Sequence, residues 1–153
     1  LHLLSRRQRQ MCIRDRAQKK GTELTYRMEE NCRVSATKGE VHQVIYNLTD
    51  NAVKYSGKNG KVRVELRHEN HDVVLTVADN GPGIPEEDLP KVFERFYRVD
   101  KARSRQSGGT GLGLAIAKWI VERHGGWFEV LSREGIGTRM TMVLPLARLA
   151  EED

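Results

Sequence analysis

From Lys38 to Tyr55 apolar residues recur with the period of a helix. Val41, Val44, Ile45, Leu48 and Ala52 fall at i, i+3, i+4, i+7 and i+11. At about 100° per residue they form one stripe. A helix with a single apolar stripe must bury it against something else, so the chain needs a second layer. The remaining sequence supplies one. Val62, Val64 and Leu66 alternate to one side, and Val73–Val77 reads as their partner strand across a turn at 68–72. Glu23–Met28 and Cys32–Val34 read as short strands around a turn at 29–31, and Trp127–Leu131 and Thr138–Leu144 as a closing hairpin across 133–137. A second helix is expected over Gly111–His124, with Leu114, Ile116, Ala117, Ile120 and Val121 apolar and Gly125-Gly126 as its stop. Pro85 should open a short helix with Glu86, Glu87 and Asp88 at its positive end. Helices and strands mix without strict βαβ alternation. The expected class is therefore α+β, a two-layer α/β sandwich with a mixed, mostly antiparallel sheet packed under helices.

Charge and composition exclude several classes. The chain has 153 residues, about one domain, and no apolar run approaches the ~20 residues of a membrane helix. No signal peptide opens it. Cys12 and Cys32 form no metal or redox motif. The net charge of +5 is concentrated at one end: residues 1–20 hold seven basic groups and one acid, and the remainder hold 19 basic and 20 acidic groups. A nucleic-acid-binding domain should carry its basic stripe on the folded body, so no nucleic-acid partner is expected, and no membrane contact. Residues 1–16 read as a tail outside the domain. The run Met11-Cys12-Ile13-Arg14-Asp15-Arg16 resembles the peptide encoded by sequencing-adapter DNA, with a basic end of a coupling helix as the alternative. The domain is expected over 17–148, followed by an acidic tail at 149–153.

Four segments carry candidate chemistry. On the first helix Gln43, Asn47, Asn51 and Lys54 lie within roughly 80° of one another and about 100° from the apolar stripe. Amide oxygens can ligate Mg²⁺, which takes few protein ligands beside phosphates and water, and the amine can neutralise phosphate. Alone, the stripe reads as a solvated polar face. Asp79-Asn80-Gly81-Pro82-Gly83 follows a strand. An ionised Asp only accepts hydrogen bonds, so it suits the exocyclic amine of adenine and opposes the carbonyl of guanine. Alone, it is a tight turn. Gly108-Gly109-Thr110-Gly111-Leu112-Gly113-Leu114 runs into a helix, where backbone N–H groups and the dipole favour phosphate, or where the glycines serve as a hinge. It is neither a P-loop nor a dinucleotide fingerprint. Gly135-Ile136-Gly137-Thr138 reads as a hairpin turn with two glycines.

Together, in this order, the segments resemble the catalytic ATP-binding domain of bacterial sensor histidine kinases, part of the superfamily shared with gyrase, the Hsp90 chaperones and MutL. The N box is Gln43–Tyr55, the G1 box Asp79–Ile84, the F box Phe93–Arg98 and the G2 box Gly109–Leu114, with a last glycine box at Gly135–Thr138. The resemblance covers about Ala17 to Leu146. It implies the fold of that superfamily and ATP and Mg²⁺ as cofactors. By the same resemblance Asn47 and Asn51 hold Mg²⁺ and the phosphates, Lys54 meets phosphate and Tyr55 lies against the base; Asn47, Asn51 and Lys54 are then the catalytic set. Asp79 takes the adenine amine, Gly81 and Gly83 shape the pocket floor, and Ile84 packs on the ring. Gly109, Thr110, Gly111, Leu112, Gly113 and Leu114 close a lid formed by 98–108, with Phe93 and Phe96 at its base or simply in the core. Thr138 sits behind Asp79.

The ATP-hydrolysing relatives place a Glu one turn before the first N-box Asn, where this chain has Gln43. An amide has no useful basicity near neutral pH, and losing a base removes about 10²–10⁴-fold from hydrolysis. That favours a kinase. The resemblance implies two protein partners: a dimerisation domain bearing the phosphoacceptor histidine, and a response regulator downstream. None of His2, His42, His68, His71 and His124 stands in an acceptor context, and all five read as surface residues. The expectation is a cytoplasmic catalytic part of a longer, membrane-anchored sensor that binds ATP without phosphorylating itself. A free-standing serine kinase of the anti-sigma type and a non-enzymatic nucleotide-binding scaffold are the alternatives.

Overall fold

The computed structural model describes residues 13, 15, 17–29, 38–56, 59–94 and 113–145. Along the chain run β1 (Glu23–Met28), α1 (Lys38–Tyr55), β2 (Lys61–Glu69), β3 (Asp72–Asp79), a 3₁₀ helix (Glu86–Lys91), α2 (Gly113–Arg123), β4 (Trp127–Arg133) and β5 (Gly137–Pro145). The five strands form one sheet in the order β1-β2-β3-β5-β4. Only β1 pairs in parallel, since its connection to β2 runs through α1; the other three pairings are antiparallel. The expected α+β class and mixed sheet are as found.

Register decides which side chains meet. Val62 and Asp79, Val64 and Val77, and Leu66 and Leu75 face one another, as do Val77 and Met140, and Leu75 and Met142. The apolar residues among these join Val44, Leu48, Ala52 and Val53 of α1 and Ala117, Ile120 and Val121 of α2 in one core. Each valine, leucine, isoleucine or methionine among them, fully buried, contributes roughly 1.5–3 kcal/mol. The outer face carries Arg63, Glu65, Arg67 and Glu69 in exposed ion pairs 3.0–3.8 Å long.

Several details depart from the expectation. Within the expected apolar stripe Val41 and Ile45 are only half-buried, whereas Val53, outside it, is 1% exposed, because α2 and the sheet both cover α1. The short helix after Pro85 forms as expected and takes the 3₁₀ form: Pro90 lacks an N–H and in an α turn would clash with the Glu86 carbonyl. Ile13 is helical and 3% exposed within the core, so the packing begins before residue 17. The expected strand at 32–34 and the tail at 149–153 lie outside the described residues.

Candidate functional site

The polar stripe of α1 is held by its own neighbours. Asn47 accepts from Gln43 Nε2 through Oδ1 at 2.8 Å and donates through Nδ2 to the Gly113 carbonyl at 3.1 Å. That second bond ties the middle of α1 to the start of α2, across 66 residues of chain. Lys54 Nζ lies 2.9 Å from Asp50 Oδ2, both largely shielded from solvent. Asn51 is half-buried, and no hydrogen bond reaches its amide among the described residues. Leu114 packs half-buried against the core. Gly109, Thr110, Gly111 and Leu112, with Phe96 and the expected lid at 98–108, lie outside the described residues.

The Asp79 loop is built against two other segments. Asp79 ends β3 opposite Val62 and Thr138, and its Oδ1 accepts the Gly81 N–H at 2.9 Å. Burial raises its carboxyl pKa above the ordinary 3.8, and the Gly81 and Thr138 backbones offset part of that rise. Gly81 must be glycine: a Cβ there would come within 2.5 Å of the Tyr55 carbonyl, where α1 ends. Gly83 has φ +75°, and its Cβ direction is filled by the Arg133 carbonyl. Protein backbone thus gives both glycines a purpose independent of any flat ring. The loop is further stitched to the β4–β5 turn, since Gly135 N donates to Pro82 O at 2.8 Å and Ile84 N to Ser132 Oγ at 2.7 Å. Ser132 in turn donates to the Gly137 carbonyl at 3.2 Å and lies 2.8 Å from Thr138 Oγ1. Thr138 is buried, and Ile84 packs half-buried on the core.

Sequence reasoning missed Asp50 and Ser132. Asp50 stands four residues before Lys54, an ion-pair spacing visible in the sequence. Ser132 had no such signal, because the amide it serves is 48 residues away. Phe93 stacks on Phe128 at 5.4 Å, with Lys118 Nζ 5.4 Å over its ring. His124 is a correction to the surface assignment. Its side chain is 16% exposed, with Nδ1 2.7 Å from the Ile120 carbonyl and Nε2 3.4 Å from Glu40 Oε2. Among the described residues no cluster of three His, Cys, Asp or Glu could hold a metal.

The sequence and the fold have counterparts among known proteins. A family model described as histidine kinase-, DNA gyrase B-, and HSP90-like ATPase matches residues 36–148. The sensor histidine kinase WalK of Bacillus subtilis is 47% identical over 122 residues, covering 78% of this chain and 20% of WalK. The catalytic domain of histidine kinase ThkA, in a nucleotide-free form, superposes with a TM-score of 0.77 at 30% identity, covering 92% of this chain and 90% of that one. Full-length ShkA in complex with AMPPNP gives a TM-score of 0.77 at 29% identity, covering 95% of this chain and 30% of ShkA. The chain spans only a fifth to about a quarter of the curated relatives it matches.

Proposed function

We propose that this chain, which belongs to the family of histidine kinase-, DNA gyrase B-, and HSP90-like ATPases, is the catalytic part of a sensor histidine kinase. It binds ATP with Mg²⁺ and transfers the γ-phosphoryl group to a histidine on a separate dimerisation domain, from which a response regulator takes it. It works in the cytoplasm, and the parent sensor is membrane-anchored. The observation that carries this reading is the bond from Asn47 Nδ2 to the Gly113 carbonyl. It sets the amide stripe of α1 beside the glycine-led start of α2, while Gly81 sets Asp79 against the end of the same helix.

The residues fit the groups they would receive. An amide oxygen has two lone pairs, so Asn47 Oδ1 keeps one after accepting from Gln43, and the Asn51 oxygen keeps both. Asn47 and Asn51 would hold Mg²⁺, which when bound neutralises phosphate charge during transfer. Asp79, ionised, accepts from the adenine amine; Gly81 N–H holds one of its oxygens so that the other is aimed. Lys54, shared with Asp50, supplies a cation beside the phosphates. Gln43 orients Asn47 and takes no proton from water, so the bound nucleotide is kept for a protein acceptor. The test is transfer from labelled ATP to a dimerisation domain supplied in trans. Acid-labile phosphohistidine supports the reading; acid-stable phosphoserine, or ATP binding without transfer to any acceptor, overturns it.

A further inference from the structure

The last turn of a helix leaves four carbonyls without intrahelical partners, and a cation placed there is favoured by the dipole. At the end of α1 that cation comes from the segment that precedes β1 in the chain. Lys20 Nζ donates to the Val53 carbonyl at 2.9 Å and to the Lys54 carbonyl at 2.6 Å, in a half-buried setting. The surrounding segment is anchored as well. Ala17 is in the core, Thr22 N donates to the Ala17 carbonyl at 2.7 Å, and Glu23 N donates to the Gly60 carbonyl at 2.8 Å. Thr22 Oγ1 lies 3.4 Å from Ser56 Oγ, which donates to the Val53 carbonyl at 3.1 Å. Residues 17–22 therefore strap down the end of α1 that bears Lys54 and Tyr55.

That end is also where the Asp79 loop rests. Gly81 lies so close to the Tyr55 carbonyl that a methyl group would not fit, and the Gly81 N–H holds Asp79 Oδ1. We propose that Lys20 is a positioning residue for the nucleotide site: by fixing the Val53 and Lys54 carbonyls it sets the height of the last turn, hence of Gly81, hence the aim of Asp79. A shift of the last peptides of α1 cannot be absorbed at Gly81, because the contact there is backbone against backbone. The inference rests on the nucleotide-site reading, and its first measurement needs no nucleotide.

Lys20→Met keeps the stem and removes the donors, and Lys20→Arg keeps donors that can span two carbonyls. In amide spectra of the nucleotide-free chain, Lys20→Met should shift Tyr55, Ser56 and Gly81. Lys19→Met, at an exposed neighbour, should leave them in place. Unmoved Gly81 in folded Lys20→Met overturns the proposal whether or not ATP binds. In calorimetry, Lys20→Met should weaken Mg-ATP by about tenfold, the scale of one charge-assisted hydrogen bond. Lys20→Arg should stay within about twofold. Val143→Ala, on the far face of the sheet, controls for lost stability. Equal weakening by Val143→Ala and Lys20→Met would reduce Lys20 to a structural residue and overturn its positioning role. Should Lys20→Met not fold, Lys20→Leu, which also lacks donors, takes its place in both measurements.

Discussion

α1 and α2 lie on the same face of the same sheet and touch each other, yet they dispose of polar residues in opposite ways. α2 buries Ala117, Ile120 and Val121 and leaves Ile116 and Trp119 exposed, Trp119 at 59% with Arg123 5.2 Å from its ring. α1 takes polar groups inward: Thr49 and Asp50 are buried, and Asn47, Asn51 and Lys54 are half-buried. Burying polar groups costs free energy unless they are paired; α1 pairs Lys54 with Asp50 and Asn47 with Gln43 and Gly113, and leaves Thr49 Oγ1 without a hydrogen-bond partner among the described residues. The comparison teaches that Asn47 and Lys54 of α1 are held in place by their neighbours, whereas the exposed apolar residues of α2 are ordinary surface.

The contrast can be broken at five positions. Leu48→Ala, on the buried face of α1, should lose about 3 kcal/mol of stability in urea denaturation, the usual cost of a core leucine. Asp79→Asn should weaken ATP by about 10–100-fold in calorimetry, because an amide nitrogen turned to the adenine amine leaves two donors opposed, a mismatch of about 1–3 kcal/mol. Stability should move the other way. Burial lifts the folded pKa of Asp79 above 3.8, so its stabilising contribution is fully present below that value and is lost as pH rises through the folded pKa. At pH 7 nucleotide-free Asp79→Asn should therefore melt no lower than the parent, and the difference should shrink on acidification; a lower Tm would contradict the desolvated carboxyl.

Smaller effects sharpen the same contrast. Asn51→Ala should cut ATP affinity about tenfold in Mg²⁺ and little in EDTA, since one oxygen ligand is lost and the phosphates and Asn47 remain. Equal losses in both buffers would remove Asn51 from the metal site. Gly113→Ala should stabilise the nucleotide-free chain by up to ~1 kcal/mol, because a Cβ there meets Asn47 only at 3.8 Å and alanine is the better helix former. A matching rise in ATP affinity would show that no phosphate comes near that backbone. Trp119→Ala should change neither stability nor ATP affinity by more than about 0.5 kcal/mol.

Much of this was legible in the chain. Periodicity placed both helices and the alternating strands, since helix and strand periods are local properties of a segment. Pro85 marked the start of the short helix, but its 3₁₀ form depended on Pro90 five residues later. Asn47, Asn51 and Lys54 could be put on one face from angle alone. Val53 could not be put in the core that way, since its burial follows from a second layer lying over α1.

The amino-acid order by itself determined which faces are apolar, where turns fall, and that two amides and an amine share one side of α1. Those facts depend on bond geometry within a few residues. Only the folded molecule decided that Asn47 reaches Gly113, that Gly81 presses on Tyr55, that Ser132 holds Ile84 and that Lys20 closes the end of α1. Each joins groups between 26 and 66 positions apart. Such contacts depend on strand register and on how the layers stack, and no local pattern of residues encodes either.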